Sequence, residues 1–123
     1  MENMLSEEMY RENILELFRN PLNFGSLPNA THTHREYNPL CGDDLSIQLI
    51  IKDDKVEHVK FHGKGCAISI AAASMLTDKI KGMAVSQVRT LQKEDILNML
   101  QIPLSPVRLK CALLSLEVLQ KAV

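Results

Sequence analysis

The chain reads as a helix, a loop, a small antiparallel sheet and a set of closing helices, the order of an α+β domain. Three observations carry that expectation. Leu45, Ile47, Leu49 and Ile51 alternate with Ser46, Gln48 and Lys52; beyond Asp53-Asp54-Lys55 the chain returns through residues 56–62 with Val59 and Phe61 on one face and His58, Lys60 and His62 on the other. Alternation with period two on both sides of a short polar turn marks an antiparallel hairpin with one buried face. Ahead of it, Leu5, Met9, Tyr10, Ile14, Leu17 and Phe18 recur at the spacing of one helical face. Behind it, an alanine-rich run from Cys66 and a stripe of Leu109, Leu113, Leu116 and Leu119 predict buried helices.

The remaining elements follow in order. Ser6 is placed to cap the first helix, with Glu7 and Glu8 in its first turn and Asn20-Pro21 as its stop, so that the apolar face docks on the body. Residues 21–30, rich in Pro, Gly, Asn and Ser, form a connector. Thr31–Tyr37 is an edge strand that sets His32 and His34 on one face; such a pair can bind metal, although solvated positions are the commoner outcome. His58 and His62 share their face with Lys60 and are expected in water. Gly63-Lys64-Gly65 ends the sheet, and Cys66 opens a helix of small residues that stops at Gly82. Short helices are expected around Val85–Leu91 and Asp95–Leu100, interrupted by Gln92-Lys93 and closed by Pro103, before Ser105-Pro106 caps the last helix.

One domain, 1–123, accounts for the whole chain, and its 123 residues suffice to bury roughly two-thirds of the surface an unfolded chain exposes. A formal charge of −1 argues against a nucleic-acid partner held by bulk electrostatics. The acidic start, Met1–Glu8, lacks the apolar run of a secretory signal, and no stretch reaches membrane-spanning length. No membrane partner and a cytoplasmic location are therefore expected. There thiols stay reduced, so three cysteines without a CxxC pair read as ligands or reactive groups.

Asn38-Pro39-Leu40-Cys41-Gly42-Asp43 must turn sharply, and Gly42 lets the Cys41 sulfur and the Asp43 carboxylate close on one cation. Cys66 and Cys111 lie at or near helix starts, where the helix dipole favours thiolate, with Lys64, Arg108 and Lys110 adding positive charge. Thiolates select zinc, copper(I) or iron–sulfur clusters, and the harder carboxylate is the most exchangeable donor. Loss of Asp43 is expected to alter metal exchange and leave the fold intact. Against a shared site, Cys111 on an apolar helix reads equally well as packing, and the long separations match no zinc-finger spacing.

Three blocks break that balance. Asn38–Asp43, then Gly63-Lys64-Gly65-Cys66-Ala67-Ile68-Ser69 with Ala73-Ser74-Met75-Leu76-Thr77, then Arg108-Leu109-Lys110-Cys111-Ala112, resemble in order the motifs of the iron–sulfur cluster assembly family of IscU, SufU and the NifU N-terminal domain. The resemblance implies an α+β fold with a small three-stranded antiparallel sheet, helices on one face, an N-terminal helix and a C-terminal helix cluster. It implies a site at an exposed end made of Cys41, Asp43, Cys66 and Cys111, holding zinc or a transient iron–sulfur cluster, with Cys111 as persulfide acceptor. Its implied partners are a cysteine desulfurase and recipient apo iron–sulfur proteins. Leu104-Ser105-Pro106-Val107-Arg108 is similar to the Leu-Pro-Pro-Val-Lys stretch by which IscU engages an Hsp70-type chaperone. Lys110 stands where IscU carries a histidine and resembles SufU, a zinc-dependent sulfurtransferase, yet the SufU insertion ahead of the third cysteine is absent. Scaffold and sulfurtransferase both stay open.

Overall fold

The computed structural model describes residues 2–39 and 41–123, the side chains of residues 2–6 excepted. Leu40, within the expected turn, lies outside the described residues. The elements are α1 (Glu2–Arg19), β1 (His32–Asn38), β2 (Asp43–Lys52), β3 (Lys55–Lys64), α2 (Ala67–Ile80), α3 (Val85–Arg89), α4 (Lys93–Leu100) and α5 (Pro106–Ala122). The sheet runs β1-β2-β3, antiparallel throughout. This is the α+β arrangement expected from the sequence.

Local chemistry sets the sheet's two connections. Lys52 pairs with Lys55 around Asp53 and Asp54, whose φ angles of 53° and 60° make a two-residue turn matched to strand twist. Between β1 and β2 the Gly42 N–H donates to the Asn38 carbonyl at 2.8 Å, and Gly42 has φ +73°, a region costly for any residue with a Cβ. Leu45, Ile47, Leu49, Val59 and Phe61 turn inward, where they meet α2 and α5. Ala71, Ala72 and Ala73 are fully buried, and their small side chains let α2 lie between the sheet side and the other helices.

The expectations needed correction at several points. α1 starts at Glu2, so Ser6 lies inside the helix and is not its cap. Among the described side chains of its expected apolar face, Ile14 and Leu17 are buried, whereas Met9 is 73% exposed and Tyr10 and Phe18 are also exposed; the Leu5 side chain lies outside the described residues. The reason is geometric: α1 packs chiefly on one neighbour, α2, and a single helix contact covers a narrow stripe. β3 does not end at His62, because Gly63 and Lys64 still pair with Leu45 and Asp44. Residues 23–25 are more than a connector: Phe24 bridges to Phe61, the Phe61 N–H donates to the Asn23 carbonyl at 2.9 Å, and their rings meet edge-on at 5.4 Å. This strap half-buries His62, whose Nδ1 lies 3.3 Å from the Gly25 carbonyl, while His58 is exposed as expected. α4 begins at Lys93 with Gln92 as its cap, and α3 stops at Arg89. On α5 the buried face takes in Leu114 and Val118, and Leu109 and Leu113 stay half-exposed. The Ser105 hydroxyl accepts from the Arg108 N–H at 3.3 Å, and Pro106 stands at the first position, both as the sequence predicts.

Gly63 has φ +140°, and an added Cβ would run into the Asp44 carbonyl oxygen. Gly63→Ala should therefore destabilise the domain by more than about 2 kcal/mol in chemical denaturation. A loss below about 0.5 kcal/mol, the size of an ordinary surface substitution, would contradict this reading.

Candidate functional site

Asp43 opens β2, and the alternation that turns Leu45, Ile47 and Leu49 inward turns its side chain inward too. The residue is only 2% exposed. The Cys66 N–H, at the cap of α2, donates to Asp43 Oδ1 at 3.0 Å. Ser69, one turn into α2 and fully buried, donates its hydroxyl to Asp43 Oδ2. The same oxygen of Ser69 lies 3.5 Å from Cys66 Sγ and 3.3 Å from the Cys111 carbonyl on α5. A Cβ on Gly65 would stand 2.9 Å from Ser69 Cβ and 3.2 Å from Asp43 Oδ1, so glycine lets the carboxylate and the start of α2 close together.

Cys41, Asp43 and Cys111 each offer a donor atom, and these atoms lie within 4.8 Å of one another. Cys66 Sγ approaches the same carboxylate from the flank, 3.9 Å from Oδ2. All three cysteines are free, with Cys111 fully buried and Cys41 and Cys66 half-buried. Two soft sulfurs and a hard oxygen at this separation fit zinc or iron, whose sulfur distances of about 2.3 Å need only a modest contraction of the group. Beyond the Cys66 N–H and the Ser69 hydroxyl, the carboxylate also accepts from the Cys41 and Cys111 thiols, contacts that deprotonation on metal binding would release. Among the described residues this cluster contains no histidine: His34 Nε2 instead faces Glu36 Oε1 at 2.8 Å, and Lys121 Nζ reaches that carboxylate at 2.7 Å.

Protonation divides the thiols. Burial pushes Cys66 up, but hydrogen bonds from the Ser69 hydroxyl and from the Ser69 and Ile68 backbone outweigh it and hold the thiol below its ordinary value. Burial pushes Cys111 strongly up, reinforced by Cys41, Cys66 and Asp43. The sequence expectation that a nearby helix start favours a Cys111 thiolate is overturned. Cys111 sits in the second turn of α5, past the unpaired N–H groups that would favour thiolate. Lys110 is exposed and lines an open groove of about 410 Å³ with Tyr37, Asn38, Pro39 and Leu113. Arg108 faces Cys66, whose charge holds the guanidinium more firmly protonated.

Sequence reasoning missed Ser69 and treated Gly65 only as a sheet breaker. The available signal was Ser69 standing three residues after a capping cysteine, where a side chain reaches back toward the cap. The expectation that Asp43 takes no part in the interior is corrected: the residue is buried and its carboxylate accepts from the Cys66 N–H and the Ser69 hydroxyl.

Asp43→Ala should cost about 1–3 kcal/mol in denaturation midpoint, since it strands the Ser69 hydroxyl and the Cys66 N–H. Burial raises the Asp43 carboxyl, yet hydrogen bonds from Ser69, Cys41, the Cys66 N–H and Cys111 hold it below the ordinary 3.8. A group held lower in the folded state contributes stability above its unfolded value and loses it as pH falls through the folded one. The acid limb of the stability curve below about pH 4 should therefore flatten in Asp43→Asn. An unchanged limb would contradict the assignment.

The model of the family described as NifU-like N terminal domain matches residues 9–123. IscU 1 of Archaeoglobus fulgidus, an iron–sulfur cluster assembly scaffold protein, is 30% identical over 115 residues, covering 94% of this chain and 74% of that relative. The zinc-dependent sulfurtransferase SufU of Bacillus subtilis is 33% identical over 134 residues, covering 95% and 90% respectively. Among solved structures, FiSufU of Fervidobacterium islandicum AW-1 superposes with a TM-score of 0.79 at 26% identity, covering 90% of this chain and 93% of that one. The N-terminal part of a NifU-like protein from Brucella abortus shares the fold with a TM-score of 0.76 at 20% identity, covering 97% of this chain and 94% of that one. With its fold, its buried cysteine–aspartate cluster and a match over residues 9–123, the chain belongs to the NifU-like N-terminal domain family.

Proposed function

We propose that this chain is an iron–sulfur cluster assembly scaffold that receives sulfur from a cysteine desulfurase and holds iron and sulfide as cargo between Cys41, Asp43, Cys66 and Cys111. The observation that carries the reading is the convergence of three soft donors and one hard donor from the β1–β2 turn, the start of β2, α2 and α5. The resemblance implies Cys111 as the sulfur acceptor; we place Cys66 first instead, because it is half-buried where Cys111 is fully buried, with its thiol lowered, and Cys111 then holds the product inside. In the transfer step the Cys66 thiolate attacks the outer sulfur of the donor persulfide. The donor S–S bond breaks, its electron pair leaves as the donor thiolate, and no external oxidant is consumed. Asp43 supplies the exchangeable position at which iron enters or leaves.

The SufU-like reading, a zinc-dependent sulfurtransferase, is favoured by one observation, Lys110 in place of an imidazole beside Cys111. Zinc, when bound, would keep the thiolates ionised and protected from oxidation. Other parts of the chain suit the remaining partners. Val107 is 54% exposed at the start of α5, open to an Hsp70-type chaperone, and recipient apo proteins would take the cluster from the same end. Among the described residues no helix is long and apolar enough to cross a membrane. A reducing compartment such as the cytoplasm would keep the three thiols free.

Anaerobic incubation with ferrous iron, L-cysteine and a desulfurase should give protein-bound sulfide and cluster absorption. Stoichiometric zinc without sulfide in freshly purified protein, with a persulfide on one cysteine, would favour the sulfurtransferase instead. Cys66→Ser should lose persulfide formation within the first turnovers. Cys111→Ser should still form persulfide but lose its retention, each read by mass spectrometry of the intact chain. Full uptake by Cys66→Ser would overturn the order of the two sulfurs.

A further inference from the structure

Cys66 also borders a cleft of about 310 Å³ between α1, the start of α2 and the segment leading into α5. Arg11 of α1 and Arg108 of α5 line it, with Ile68, Ile102 and Leu104 as apolar walls. Among the described residues no acidic side chain lines it, and Arg11 pairs with Glu7, one turn back on the same helix at 2.8 Å. Arg108 faces the Cys66 sulfur and has no carboxylate partner among the described residues. The cleft thus has a fixed cation, a second cation shared with Glu7, and a nucleophilic sulfur at its floor.

That combination selects its ligand. Guanidinium is weakly hydrated and always charged, so it pairs well with polarizable, weakly hydrated anions. Both arginines are exposed, Arg11 by 54%, so their attraction for an anion acts through partly hydrated charges and weakens with salt. A metal dication would be repelled by the two arginines, and a neutral thiol would gain nothing from them. Resting on the sulfur-receiving reading above, we propose that Arg11 and Arg108 make this cleft a receptor for a singly charged terminal persulfide, free or protein-borne, presented to Cys66, whose attack on the outer sulfur releases the donor thiolate. Arg108 is the stronger contributor because Glu7 partly neutralises Arg11. Neither arginine gains or loses a proton in the transfer; they place the anion and hold its charge beside the attacking sulfur.

The test compares alkylation of Cys66 by iodoacetate, an anion, with that by iodoacetamide, its neutral analogue, in the full chain after chelation, read on the Cys66 peptide by mass spectrometry. The iodoacetate-to-iodoacetamide rate ratio should fall about three- to tenfold in Arg108→Gln, less in Arg11→Gln, and stay near wild type in Arg108→Lys. The lysine variant separates lost charge from lost folding. Thiocyanate, an unreactive anion, should protect wild-type Cys66 from iodoacetamide but not the double glutamine variant if a free sulfur anion is accepted. Absent protection combined with reduced persulfide uptake from desulfurase and cysteine in that variant would assign the cleft to a protein-borne persulfide. An unchanged alkylation ratio in the double variant would overturn the proposal. A wild-type chain that keeps the ratio but takes no sulfur from the desulfurase would retain the anion cleft and overturn the sulfur-receiving reading.

Discussion

The buried Asp43 carboxylate holds the functional end of the molecule together. Among the described residues it is the one buried charged group, and it ties the mouth of the sheet to a helix start through the Cys66 N–H at 3.0 Å and the Ser69 hydroxyl. Burying a carboxylate is costly unless donors surround it, and here both come from the first turn of α2 and its cap. Ser69 extends the connection, because its oxygen also lies beside the Cys111 carbonyl at 3.3 Å. The position of each cysteine is therefore fixed relative to the same acid. The interior behind that junction is filled by Ala71, Ala72, Ala73 and Leu76, which leave little room for it to collapse inward.

The same burial makes the sulfurs unequal. Cys66 is surrounded by donors at a helix cap, and Cys111 by apolar neighbours and by other groups that disfavour its charge. One fold thus supplies a thiol ready to react and a thiol shielded until something displaces its proton. A metal dication is such a displacing charge, since binding requires the deprotonated ligand. The contrast between the two cysteines comes from their depth in the structure; their chemistry is identical.

Much of the architecture was legible in the chain. The hairpin followed from alternation and the Asp53-Asp54 turn, and the last helix from Ser105-Pro106, because these signals are local. The limits of α1 were not legible: periodicity reports which residues could be buried, and only the number of neighbours decides how many are. The extension of β3 through Gly63 was hidden because glycine usually punctuates, whereas here it permits a close strand approach. At the site, the grouping of Cys41, Asp43 and Cys111 was readable from the ordered blocks, but depth was not. Nothing in the spacing of Asp43 announced that two interior donors would bind it, and the role of Ser69 depends on a contact across twenty-six residues.

The strap over the sheet has its own implication. β3 has neighbours on both sides: β2 on one, and on the other the Phe24 and Ala84 bridges, the first stiffened by the Phe24–Phe61 ring contact. β1 is the opposite outer strand of the sheet, and it carries histidines and charged residues along its seven residues. Strand-by-strand stacking between copies from that edge meets histidine, arginine and glutamate side chains, which discourage edge-to-edge pairing.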